Sequence, residues 1–236
     1  MSHANFPLWL HDLAMISLIL AAGCAVLIGT DTALRPQKMW IMSLVWPLTA
    51  LFGSVLSVVA YYTWGRPLPS TEQPRKAPFP VSVGKGTSHC GAGCTLGDLV
   101  AEWTAFGFPV VAVWFGWHTL FEEKTFAVWI LDFILAFLLG IVFQYFTIKP
   151  MRNLGFKGGL LAAVKADAAS ISAWQLGMYG VMALIQFGWY RHAYGRMARV
   201  PSVEFWFAMQ LAMLAGFATS YPVNWWLLRQ GWKEAM

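Results

Sequence analysis

Apolar residues in this chain come in long runs separated by short polar punctuation, the pattern of helices solvated by lipid. Residues 9–29 form the first run, long enough to span a bilayer with modest tilt, with His11 and Asp12 near its start. The second is 39–62, with Pro47 inside it as an expected kink. Residues 65–88 interrupt the pattern with Pro, Lys, Arg and Ser and read as an extended surface loop. A third run, 99–120, contains Pro109, and the turn Glu122-Glu123-Lys124 leads into a fourth, 125–148, with Asp132 and Gln144 inside it. Residues 149–165 alternate basic residues, glycines and leucines and read as an interfacial helix. Fifth and sixth runs cover about 170–190 and 204–228, the last closing on Tyr221, Trp225 and Trp226, which suit a headgroup belt.

Six spans predict an all-α, polytopic membrane helix bundle with both termini on one side. Two N-terminal helices (1–64), a loop (65–88) and a four-helix unit (89–236) make up the domain plan. Composition agrees: 58% of residues are hydrophobic, 11% are charged, and mean hydropathy is +0.56, against roughly 25% charged in a soluble domain. The net charge of +5 does not imply nucleic acid, because Lys and Arg are scattered through loops. Counted by side, they number ten on the terminal side against six. This favours a multi-pass protein of a bacterial inner membrane with cytoplasmic termini. The first span dissents, with no basic residue before it and two after it.

The densest polar stretch is Ser88-His89-Cys90-Gly91-Ala92-Gly93-Cys94-Thr95-Leu96-Gly97-Asp98, with Glu102 following. Two conformations are open to it. In one, Thr95 caps a helix beginning near Leu96, and the motif is a glycine-loosened loop above that start. In the other, the helix starts near His89 and places Cys90, Cys94, Asp98 and Glu102 on one face. Three glycines in seven residues favour the loop. His89, Cys90 and Cys94 offer a soft ligand set suited to Cu(I) or Zn(II). Asp98, Glu102, Asp167, Gln175 and Asn224 lie on the same side in this topology, as polar or proton-handling neighbours. His11, Asp12 and Ser170 share that side. Taken singly, Asp98 and Asp167 also read as helix caps.

Two other classes compete with metal handling. Cys90 and Cys94 suit a thiol-redox oxidoreductase, though no quinone or thiol partner is named by the sequence. A structural or assembly subunit docking a membrane-protein partner or a second copy is the other. Asp132, inside a span, reads as a station on a proton or ion path. Gln144, Gln186 and Gln210 read as interhelical hydrogen-bond partners, and Cys24 as a packing cysteine.

The motif, with Lys165-Ala166-Asp167, Ser220-Tyr221-Pro222-Val223-Asn224-Trp225-Trp226 and Gly231-Trp232-Lys233-Glu234-Ala235-Met236, resembles the bacterial membrane-protein family catalogued as domain of unknown function 4396. The likeness covers roughly the last two thirds of the chain. It implies intact spans and supplies no activity.

Overall fold

The computed structural model describes residues 6–37, 39–67 and 77–233. They form an all-helical bundle of α1 (Leu8–Leu34), α2 (Met42–Ala60), α3 (Phe79–Gly107), α4 (Val110–Trp114), α5 (Lys124–Arg152), α6 (Phe156–Ala183), α7 (Arg191–Tyr194) and α8 (Val203–Arg229). Wide π-helical turns extend α2 to Gly65 and α6 to Tyr190. Four segments are long and apolar enough to cross a membrane: Leu8–Leu34, Met42–Gly65, Lys124–Lys149 and Phe156–Tyr194.

Helix α3 occupies the middle. From Gly86 to Asp98 only Ser88 and Leu96 escape full burial, and α2, α5, α6 and α8 all pack against it. The glycines make this possible. A methyl group at Gly91 would collide with the Trp174 ring, and one at Gly93 would stand 3.0 Å from the backbone of Gly140. Small residues let helices approach closely in lipid, where there is no water to reward unwinding. The motif is therefore continuous helix, not a loop: α3 begins at Phe79, seventeen residues before the expected start at Leu96. It also ends at Gly107, so 108–123 form a short helix and turn rather than the end of a span.

Helix α2 does not run straight. Ser54 sits at φ 45°, ψ −126°, a break rather than a bend. Beyond it the chain turns back: Ser57 Oγ donates to the Thr49 carbonyl at 3.1 Å, and the Trp46 and Tyr61 rings meet at 5.5 Å. In a straight helix those rings would be more than about 20 Å apart. The segment is thus a re-entrant hairpin whose two ends close against the end of α1. Asp31 accepts from Arg66 Nη2 at 2.9 Å and Nε at 3.1 Å, a bidentate pair, and from the Tyr61 hydroxyl at 2.7 Å. Pro47 lies within the first arm, and the break comes at the Gly53-Ser54 pair.

This corrects the expected topology. The start of α1 meets the start of α8 through His11 Nδ1 and Glu204 Oε1 at 2.8 Å, whereas the end of α8 lies beside Lys233 and the start of α3. Leu8 and Arg229 are at opposite ends of the bundle, called here the N-terminal and C-terminal ends, and His11 is remote from Asn224. Nor do residues 149–165 form a separate interfacial helix. Asn153, at φ 49°, ends α5, and α6 starts at Phe156, burying Gly159 and Ala163.

Candidate functional site

Spacing by four places Cys90, Cys94, Asp98 and Glu102 along one stripe of α3, all buried. His89 is rotated off that stripe by about 100°. Its Nε2 lies 2.7 Å from Thr147 Oγ1 on α5. The Thr147 hydroxyl already donates to the Phe143 carbonyl at 3.1 Å, so the ring donates from Nε2–H. Nδ1 is then an acceptor with no hydrogen-bond partner among the described residues. Cys90 and Cys94 are free thiols, packed in an apolar cluster with Ala136, Ile171 and Trp174. Among the described residues, no group of three His, Cys, Asp or Glu gathers closely enough to hold a metal ion. The expected ligand set His89, Cys90, Cys94 is thus divided, because adjacent residues on a helix face different neighbours.

Toward the N-terminal end the stripe becomes acidic. Asp98 and Glu102 on α3 and Asp132 on α5 lie within electrostatic range of one another. Asp98 and Asp132 are fully buried, and all four of their carboxylate oxygens lack a hydrogen-bond partner among the described residues. Gln175 of α6 stands beside Asp98, but its amide also makes no hydrogen bond there. Tyr179 borders the cluster with its hydroxyl donating to the Trp129 carbonyl at 2.8 Å. Lys124 faces Glu102 from the N-terminal end and donates to the Ala105 carbonyl at 2.6 Å.

At the C-terminal end the polar groups satisfy one another. Lys233 is buried, donating to Asp167 Oδ1 at 3.2 Å and Asn224 Oδ1 at 2.7 Å. The Asn224 amide donates onward to Ser170 Oγ at 2.7 Å and Ser220 Oγ at 2.9 Å. Asp167, Ser170 and Asn224 therefore do converge, as expected, but around a lysine. Cys94, packed in its apolar cluster, lies within electrostatic range of both Asp98 and Asp167.

The re-entrant tip opens a cavity of about 290 Å³ beside Asp98. Its walls include Ala21 of α1, Leu51 and Phe52 of the hairpin, Thr95 and Asp98 of α3, and Trp206, Met209 and Gln210 of α8. The carbonyl of Leu51, freed by the break, accepts from Gln210 Nε2 at 2.8 Å. Irregular backbone at membrane depth is tolerated where protein covers it or a cavity adjoins it.

Sequence reasoning missed Lys233 as a site residue, and it missed the hairpin. Gly53-Ser54 inside an apolar run was the available signal for the hairpin. A family model described as Domain of unknown function (DUF4396) matches residues 81–233. The chain belongs to that family. The region shared with the family begins two residues into α3 and ends at Lys233, so it holds both the acidic cluster and the lysine network. The walls of the cavity contributed by α1 and the hairpin lie outside it. No curated protein and no solved structure matches the chain.

Proposed function

We propose that this protein transports a small cationic solute across the membrane in exchange for protons held on Asp98, Glu102 and Asp132. The observation that carries this reading is the pair of fully buried carboxylates, Asp98 and Asp132, with no hydrogen-bond partner among the described residues. A bare carboxylate in a dry interior costs several kcal/mol or more and is neutralised by a proton or a bound cation. Exchanging one for the other is the elementary step of coupled transport. A broken helix whose tip adjoins the same carboxylate supplies the usual architecture of such a site, at mid-depth and at a discontinuity.

Orientation follows from the hairpin. The C-terminal end collects Arg35, Arg66, Lys85, Lys149, Arg152, Lys157, Lys165, Arg229 and Lys233, and the N-terminal end Lys124, Arg191, Arg196 and Arg199. Nine described basic residues against four favour the C-terminal end in the cytoplasm and residue 8 outside. The dissent of the first span weakens, because Arg35, which follows it, now votes with the majority.

Proteoliposomes containing a trapped pH-sensitive dye test the function. When external cations are added in turn (sodium, potassium, tetramethylammonium), the parent chain dissipates an imposed proton gradient with at least one of them, and Asp98→Asn and Asp132→Asn reduce that rate at least about tenfold. A parent rate equal to that of protein-free vesicles contradicts the proposal. Cys90 and Cys94, one helical turn apart and both free, favour a second reading as a soft-metal or dithiol site. That reading requires copper or zinc to co-purify near stoichiometrically and to be lost in Cys94→Ser; the transport reading expects substoichiometric metal, unchanged by the substitution.

A further inference from the structure

A second cavity, of about 540 Å³, opens at the N-terminal end of the bundle, where the start of α1, the segment 195–202 and the start of α8 meet. Its wall carries Arg196 and Arg199 together with His11, Ser202 and Glu204. Other basic residues at this end are engaged: Arg191 donates to Glu123 at 2.8 Å, and Lys124 to the Ala105 carbonyl at 2.6 Å. Neither the Arg196 nor the Arg199 side chain makes an ion pair or a hydrogen bond among the described residues. The Arg196 guanidinium lies over the buried Phe6 ring, 4.5 Å from its centroid, which holds it at the cavity. Glu204, the carboxylate of this wall, is already taken by His11 at 2.8 Å. Ser202 Oγ accepts from the Phe205 nitrogen at 3.3 Å and keeps its own proton to donate. Two guanidiniums against one carboxylate leave the wall with excess positive charge. The cavity also sits among rings suited to headgroup depth: Trp9 stacks on Trp189 at 6.4 Å, and Tyr194 meets Phe6 at 5.5 Å.

We propose that this cavity binds the phosphodiester of an anionic lipid headgroup. The phosphate oxygens accept from Arg196, Arg199 and Ser202, the planar guanidiniums matching them in shape as well as charge. A phosphodiester brings a single negative charge, which balances the excess in the wall. A choline headgroup would bring its own cation to the same guanidiniums, so phosphatidylglycerol is favoured over phosphatidylcholine. Phe6 and His11 belong to the chain before residue 81, and both arginines to the region shared with the family. The lipid thus ties α1 to the family's helices, whatever the protein transports.

Native mass spectrometry of the full chain, delipidated in a neutral detergent and titrated with either lipid, tests this. Phosphatidylglycerol should bind at least about tenfold more tightly than phosphatidylcholine, and Arg196→Gln and Arg199→Gln should each weaken it about fivefold, the worth of one basic residue at a membrane surface. Lys157→Gln, which removes an exposed charge at the opposite end of the bundle, should leave the affinity unchanged. Soluble glycerophosphoglycerol separates a lipid from a free phosphodiester: lacking acyl chains, it should compete only at least about a hundredfold more weakly than the lipid. Competition at equal concentration assigns the site to a free phosphodiester and overturns the lipid. Equal affinity for the two lipids, undiminished binding to both arginine variants, or an equal loss in Lys157→Gln overturns the site altogether. Arg199 is exposed, so its replacement leaves packing intact; should Arg196→Gln fail to fold, Arg199→Gln and the parent's preference between the lipids decide the matter.

Discussion

Gly97 of α3 lies directly against Ala136 of α5: a methyl group at Gly97 would stand 2.7 Å from the Ala136 nitrogen and 2.8 Å from its Cα. Backbone cannot yield as a side-chain tip can, so the two helices would have to separate at the level of the acidic cluster. Gly97→Ala should therefore destabilise the protein by about 1–3 kcal/mol, the usual cost of overpacking. Gly84→Ala is the control, since nothing lies within 4 Å of a methyl group there and the same helix should gain about 0.5–1 kcal/mol. Thermal unfolding in detergent should move in opposite directions for the two variants. Equal shifts would show that close α3–α5 packing is not what the glycine provides.

The hairpin makes a topological prediction that a straight second span does not. Gln37 and Pro67 flank a 24-residue apolar segment and should still be reached from the same side of the membrane. The three native cysteines are buried and free, so single cysteines can be introduced over a low background. Gln37→Cys and Pro67→Cys should both react with an impermeant maleimide from the cytoplasmic side, and Arg196→Cys from the outside. Labelling of 37 and 67 from opposite sides would replace the hairpin with a crossing helix.

Lys233 and Asp167 are both buried, and each neutralises the other. Removing one partner leaves a bare charge inside, at a cost of about 3–5 kcal/mol. Lys233→Met alone should therefore destabilise strongly, and adding Asp167→Asn should restore part of the loss. A double-mutant cycle read by thermal unfolding checks this, with a coupling of at least about 1 kcal/mol expected. Strict additivity would mean that the pair does not interact in the folded protein.

How much of this was legible in the sequence differs from element to element. The apolar runs placed α1, α5, α6 and α8 to within a few residues of most boundaries, because lipid demands continuous apolar length. Helix α3 was misread because glycine propensities describe helices in water, whereas at Gly91, Gly93 and Gly97 the neighbour on the next helix decides. Hydropathy registered the length of 42–65 but not its reversal, which depends on one residue, Ser54, and on partners such as Gln210 far along the chain. Asp98, Glu102 and Asp132 were singled out from the sequence, Asp132 as a separate station inside a span, and in the structure they lie within electrostatic range of one another. His89 and the thiols were grouped by proximity in sequence, yet one residue along a helix is a different face. Lys233, 66 positions from Asp167, carried no local signal at all.

The central claim is that the carboxylates around Asp98 take up and release protons inside the bundle. Infrared difference spectroscopy of the reconstituted protein between acidic and alkaline buffer measures this directly, through the C=O stretch of protonated carboxyl groups. The account predicts a pH-dependent carboxyl band in the parent chain that loses a component in Asp98→Asn and another in Asp132→Asn, while Asp12→Asn leaves it unchanged. A band that is absent, or identical in the parent and both interior variants, would contradict the account.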